Sequence, residues 1–463
     1  MRGKYFGDRA FYKRVLAIVV PMMIQNGISN FVNLLDNIMV GQIGTEQMSG
    51  VAIANNINFI FFLAIFGALS GAGIFGAQFF GSGNTEYFRY TFRFKFISST
   101  LLGALAIVVF LLFKTQLAGL FLHESESAGD LALTLVSAEQ YFTVFVIGIL
   151  PFAWAQMYAS TLRESGQTVV PMAAAISAVL VNLVGNYILI FGHFGAPALG
   201  VRGAAAATVL SRFVELAILV IWTDRHKKDH PFIKGAFSSL YIPRNTVRQI
   251  IAKGTPLLAN EVLFSLGIVL VNQAYSYRGL STVAAQNIAS TISNLFNIVY
   301  MSMGSAIAII LGQHLGAGRN AEAMDENRKL SVFAILMAAG VGIILAVTAL
   351  LYPHFYKTSD AVRSLAAAFI RINALCMPFF AYTNACYFTL RSGGKTFITF
   401  LFDCCYIWVV CVPLANALVH LTALPIVTIF AIGQFQDVLK CGIGYWLVRK
   451  GIWVHDVTQE SMA

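Results

Sequence analysis

Between Pro21 and Gly41 the chain reads PMMIQNGISNFVNLLDNIMVG, within an apolar run long enough to cross a bilayer. The stretch nevertheless carries a carboxylate, Asp36, and amides at Gln25, Asn26, Asn30, Asn33 and Asn37. An ionisable group at membrane depth is costly, and such groups mark ion or substrate paths. A carboxylate offers two kinds of chemistry there: it takes a proton, or it gives hard oxygens to a cation. Burial favours the protonated form and a bound cation the charged one, so ion and proton compete at one group. Two more acids interrupt apolar runs, Glu261 in GTPLLANE (254–261) and Asp403 in LFDCCYIW (401–408).

The elements that position these residues follow from composition. With 463 residues, 58% of them hydrophobic and 11% charged, the chain has too few charges to cover a soluble surface of its size. It reads as an all-α polytopic membrane protein. Apolar runs fall near 15–40, 48–79, 91–113, 130–162, 169–191, 203–223, 247–275, 282–312, 330–352, 361–390, 397–418 and 424–448. Each supplies the roughly 20 helical residues that a hydrocarbon core requires, which predicts twelve transmembrane helices. With the N-terminus inside, 25 Lys and Arg fall on the inner side and 6 on the other. That bias predicts a multi-pass protein of the cell membrane with both termini cytoplasmic. The formal charge of +10 is scattered between spans and forms no patch for nucleic acid. The six cysteines lie inside apolar runs of the second half, without metal-ligand spacing. The N-terminal MRGKYFGDRAFYKR precedes a span too long for a signal-peptide core, so no cleavage is expected.

A repeat organises the chain. A shift of 235 residues places Pro21 on Pro256, Ile53-Ala54 on Ile288-Ala289, Ser70 on Ser305, Gln78 on Gln313, and Gly81-x-Gly83 on Gly316-x-Gly318. A shift of 228 places TLRESGQT (161–168) on TLRSGGKT (389–396). Two six-helix lobes that both start inside are related by a pseudo-twofold axis along the membrane normal, as in secondary transporters. The expected boundaries are an N-terminal lobe at 1–223, a polar, basic cytoplasmic linker at 224–246 broken by Pro231 and Pro243, and a C-terminal lobe at 247–463. A symmetric scaffold without transport would show the same duplication.

With these residues in view, the chain resembles the multidrug and toxic compound extrusion (MATE) transporters of the MOP flippase superfamily, in their bacterial form. The resemblance rests on Pro21 to Asp36 with VGQIG (40–44), QFFGSG (78–83), Leu162-Arg163 and Leu390-Arg391, NLVGNYILIFG (182–192) and GAAAAT (203–208). It covers nearly the whole chain. It implies a secondary antiporter that exports organic cations and amphipathic drugs against an inward flux of Na+ or H+, with no other cofactor and no enzymatic activity. It also implies an N-lobe cation site at Asp36, Asn182, Asn186 and Thr208, which as hard oxygen donors suit Na+. Asn182 and Asn186, four apart, share one helix face. The same asparagines could simply bridge helices.

Glu261 matches an acid that the NorM branch uses in its C-terminal lobe. By the 235 shift its counterpart is Asn26, and that of Asp36 is Val271, so the two lobes carry separate chemistry. NorM-type members have a further acid in the tenth helix, where this chain reads PFFAYT (378–383). Asp403 is a candidate substitute; it could equally pair with Lys395 or Arg391. Asp437 with Lys440, and Arg212 with Glu215, read as structural pairs on their helices. Gln25, Asn33, Asn58, Tyr141, Asn260 and Glu261 are candidates for a substrate cavity of aromatic, Met and amide side chains. Pro21 and Pro256 are candidate hinges, because proline removes a backbone hydrogen bond. The expected partners are small organic cations and the lipid bilayer, with the chain acting as a monomer. The rival reading, a flippase of a lipid-linked saccharide precursor, needs cavity cations, for which only Arg371 and Arg278 offer themselves. No HExxH, nucleophile elbow or phosphate loop supports a membrane enzyme.

Overall fold

The structure, a computed structural model, describes residues 5–119 and 128–462, of which 32–34, 37 and 128–130 are described through their backbone alone. Helix α1 (Arg9–Gly41) runs 33 residues and contains Pro21. Eleven further helices among the described residues are long and apolar enough to cross a membrane: α2 (Thr45–Gly81), α3 (Thr85–Gly119), α4 (Leu131–Glu164), α5 (Val169–Phe191), α6 (Val201–Arg225), α7 (Arg244–Ser276), α8 (Leu280–Gly316), α9 (Asn320–Thr348), α10 (Asp360–Ser392), α11 (Thr396–Leu421) and α12 (Ile426–Arg449). With α1 they make the twelve that the apolar runs predict. A short helix, α13 (Val457–Met462), follows.

Contacts divide the chain into two compact units. The first comprises Met1–Val19, Ala77–Gly83 and Arg248–Ala463, and the second Val20–Gly76 and Asn84–Val247. Helix α1 passes from one unit to the other between Val19 and Val20, next to Pro21, and α2 passes back between Gly76 and Ala77.

Local geometry repeats as the sequence does. Gly83 and Gly318, one shift of 235 apart, both end a helix with φ +72°, a left-handed conformation that glycine adopts without penalty. Gly166 and Gly394 do the same under the shift of 228, with φ +83° and +68°. Inside the first unit the end of α2 crosses α8 through small residues. A side chain added at Gly81 would strike the backbone of Gln313, and one at Gly316 the backbone of Gln78. These contacts are images of each other under the shift, and Gly312 against Ala77 is its own image. A pseudo-twofold axis passing between the two helices at this level requires that pattern. Small residues one turn apart also let membrane helices approach closely without a hydrophobic driving force.

Among the described helices three depart from regular winding, and in α12 the break falls at Gln436, between Phe435 and Asp437. In α4 a 3-10 turn at Val146–Gly148 precedes Pro151, which has no N–H to donate. In α11 the backbone widens to π-type turns over Leu401–Cys405 and again over Ile407–Cys411, just before Pro413. Wide turns of this kind are rare and concentrate at functional positions.

Candidate functional site

The second unit brings Asp36 of α1 against α5 and α6. Asn186 Nδ2 donates to Asp36 Oδ1 at 2.6 Å, while Asn186 Oδ1 is buried without a hydrogen-bond partner among the described residues. The Asn182 amide, one turn earlier, can face either way. With its carbonyl toward Asp36, its Nδ2 donates to Thr208 Oγ1 at 3.2 Å and Thr208 donates to the Ala204 carbonyl at 3.1 Å. Turned over, its Nδ2 donates to Asp36 Oδ1 and Oδ2 at 2.8 and 3.0 Å, and its oxygen accepts from Thr208 at 3.2 Å. The second arrangement satisfies an ionised Asp36. The first sets two oxygens face to face and needs a proton or a cation between them. Asp36, Asn182 and Thr208, with the spare oxygen of Asn186, thus form a hard-donor set able to hold a small cation.

Tyr141, buried on α4, interacts through its side chain with Thr208 and joins this cluster. Arg212, one turn beyond Thr208 on α6, interacts electrostatically with both Asp36 and Tyr141. It also pairs with Glu215 at 3.1 Å and lies 5.0 Å from the Phe152 ring centroid. The Arg212–Glu215 pairing is legible as an i,i+3 spacing. The closeness of Arg212 to Asp36 is not, although its i+4 relation to Thr208 hints at it.

The other candidates lie apart from this cluster or only beside it. Asn58 is fully buried in the second unit, and both ends of its amide lack a partner among the described residues. Gln25 is half-buried, eleven residues before Asp36 on α1. The Asn33 side chain lies outside the described residues. In the first unit Glu261, Asn260 and Asp403 are gathered around Tyr387. The tyrosine hydroxyl donates to Glu261 Oε1 at 3.4 Å, and Asn260 Nδ2 lies 3.5 Å from that hydroxyl and 3.1 Å from Asp403 Oδ2. Asp403 pairs with Lys440 at 2.6 Å, not with Lys395 or Arg391. Arg391 instead interacts electrostatically with Glu261. Pro256 sits inside α7, and Glu261 follows it by about one and a half turns. Arg278 donates to the carbonyls of Thr422 and Leu418 at 2.5 and 3.3 Å, capping the end of α11.

A twelve-helix chain whose two halves repeat, and whose acids sit inside apolar helices, has the plan of a polytopic membrane transporter. The MatE family model matches residues 21–188 and again 256–420, and the chain belongs to that family. MatE is a transporter family and not an enzyme family. The two matches begin at Pro21 and Pro256, the 235-residue repeat once more. The chain is 24% identical over 438 residues to the probable multidrug resistance protein NorM of Thermotoga maritima, covering 92% of this chain and 89% of the relative. It is 25% identical over 427 residues to the multidrug resistance protein PmpM of Pseudomonas aeruginosa, covering 89% and 84%. Its fold matches an outward-facing MATE family transporter of the MOP superfamily with TM-score 0.84 at 19% identity, over 96% of each chain. It also matches the Vibrio cholerae MATE transporter VcmN in its bent form, with TM-score 0.85 at 16% identity, over 98% of each chain.

Proposed function

We propose that the protein is a secondary multidrug exporter that expels organic cations and amphipathic drugs in exchange for Na+ or H+ entering at Asp36. The observation that carries this reading is the Asp36 carboxylate of α1 held by Asn186 at 2.6 Å, with the Asn182 amide and Thr208 beside it. Loading with a proton or cation favours the oxygen-in orientation, and unloading favours the nitrogen-in one. The exchange changes the bonds that tie α1 to α5 and, through Thr208, to α6. Pro21, where α1 passes between units, supplies a place for the helix to bend in response. Relatives named as multidrug resistance proteins support the drug-export reading. Of the two cations that the flippase alternative would need, Arg278 is committed to capping a helix end.

Asp36→Asn keeps the hydrogen-bonding shape and removes the charge. It is expected to abolish efflux of a fluorescent organic cation while the protein still purifies as a monodisperse, folded species. Efflux at the unsubstituted rate in that variant would remove Asp36 from the mechanism. Proteoliposomes given a sodium gradient and, separately, a proton gradient identify the driving ion.

A further inference from the structure

Lys440 lies inside α12 and is buried, yet its ammonium has the surroundings of a bound ion. Its Nζ lies 2.6 Å from Asp403 Oδ1, and the other Asp403 oxygen accepts from Asn260 at 3.1 Å. The ring centroids of Phe402, Tyr406 and Phe264 stand 5.2, 5.6 and 5.8 Å from it, within cation–π range. Asp437, three residues earlier on the same helix, interacts with it electrostatically, and its Oδ1 is held by Gln436 Nε2 at 2.9 Å.

Two observations set this apart from an ordinary buried ion pair. Asp403 and Phe402 belong to the first wide-wound stretch of α11, and Tyr406 stands between the two stretches, so the unusual winding delivers three of the groups that face the ammonium. Asn260 is 2% exposed, and its Oδ1 has no hydrogen-bond partner among the described residues. The residue that holds Asp403 through its Nδ2 thus keeps a hard acceptor that the lysine does not use, and turning the amide over would present it to Asp403's neighbourhood.

We propose that this is a monovalent-cation site filled by the protein's own lysine, with Lys440 Nζ standing where Asp403, Asp437 and Asn260 would otherwise hold a soluble ion. The place beside Asp403 accordingly takes up no soluble cation as long as Lys440 is present. Removing the ammonium leaves half-buried carboxylates without a counter-charge, and the vacated place then accepts Na+ or a small alkylammonium ion. A ligand that binds only the folded protein raises its melting temperature, which makes the site measurable without transport. This inference goes beyond the reading of Asp36 and does not depend on it.

The test is made in an Asp36→Asn background, so that no cation response arises at Asp36. Asp36→Asn alone is expected to show no binding of radiolabelled sodium and no sodium-dependent shift in melting temperature. Adding Lys440→Ala should lower the melting temperature in choline chloride. Sodium chloride or propylammonium chloride should raise it again by several degrees, and the further change Asp403→Asn should abolish that recovery. A folded Asp36→Asn/Lys440→Ala protein indifferent to both cations overturns the proposal. So does sodium binding by Asp36→Asn alone that Asp403→Asn removes, an arm that needs no substitution of Lys440. A Lys440→Ala protein that purifies folded only in the presence of either cation counts in favour.

Discussion

Lys95 shows how a charge is kept out of water at the scale of one residue. It lies on α3 and is fully buried, with its Nζ 2.5 and 2.6 Å from the two oxygens of Glu164. Ser160 donates to the same carboxylate at 2.8 Å, and the half-buried Arg163 interacts electrostatically with Glu164 and Glu215. The carboxylate has room because it lies over Gly73 and Gly76 of α2, where any side chain would press on it. A buried pair contributes little net stability when complete but leaves an uncompensated charge when halved. Lys95→Met or Glu164→Gln alone is therefore expected to cost about 3–5 kcal/mol. The double substitution should cost less than the two single ones added, as read by a double-mutant cycle of unfolding in detergent. In the sequence Lys95 is only one of the cations that orient the chain. Its partner is 69 residues away and on another helix, which no local spacing reveals.

Two predictions belong to the elements. Where α2 crosses α8, Gly81→Ala or Gly316→Ala drives a methyl into backbone and not into a yielding side chain. Overpacking costs about 1–3 kcal/mol where neighbours can shift. Each variant should reach or exceed the upper part of that range, and the two should be similarly severe because their contacts are repeat images. Melting temperatures of both variants check this, and a harmless Gly316→Ala would contradict the crossing. Pro21→Ala returns to α1 the backbone donor that proline lacks. It is expected to leave melting temperature unchanged or raised while lowering the rate of efflux, since a straighter, stiffer α1 yields less where it passes between units. Melting and transport measured on one preparation separate these effects. The candidate hinges were legible because proline within a long apolar run has one meaning for a backbone. The wide winding of α11 was not, because LFDCCYIWVVC reads by its apolarity as ordinary helix.

At the scale of the molecule, the chain end is part of the first unit's packing. Gln78 is fully buried; its Nε2 donates to the carbonyls of Ser392 and His455 at 2.8 and 3.2 Å, and its Oε1 accepts from Val457 N at 2.8 Å. Trp453 is 1% exposed, and its backbone lies so close to Gly393 that no side chain fits there. Removing the residues from Gly451 onward should therefore lower the melting temperature markedly, with Trp453→Ala alone costing about 3–5 kcal/mol. Burial and the nearby Lys395 hold His455 below the ordinary histidine pKa. Because the unfolded chain binds that proton more readily, the docked tail's contribution is full above about pH 6.5 and falls as the pH drops below it. His455→Gln should flatten the acid limb of the melting-temperature profile, and an unchanged limb would exclude His455 as its source.

Composition, the lengths of the apolar runs and the 235-residue shift determined by themselves that this chain is a duplicated twelve-helix membrane protein, because bilayer thickness fixes span length and side-chain transfer costs fix which residues enter. They also exposed Asp36 and Glu261, since an acid within an apolar span stands out on energetic grounds alone. The resemblance already grouped Asn182, Asn186 and Thr208 with Asp36; only the tertiary structure decided which atoms of that group meet, that Arg212 is close by, and that Lys440 pairs with Asp403 in place of Lys395 or Arg391. Pairings of this kind join different helices, and their partners are set by how the helices rotate and pack, which the spacing of residues along any single helix does not contain.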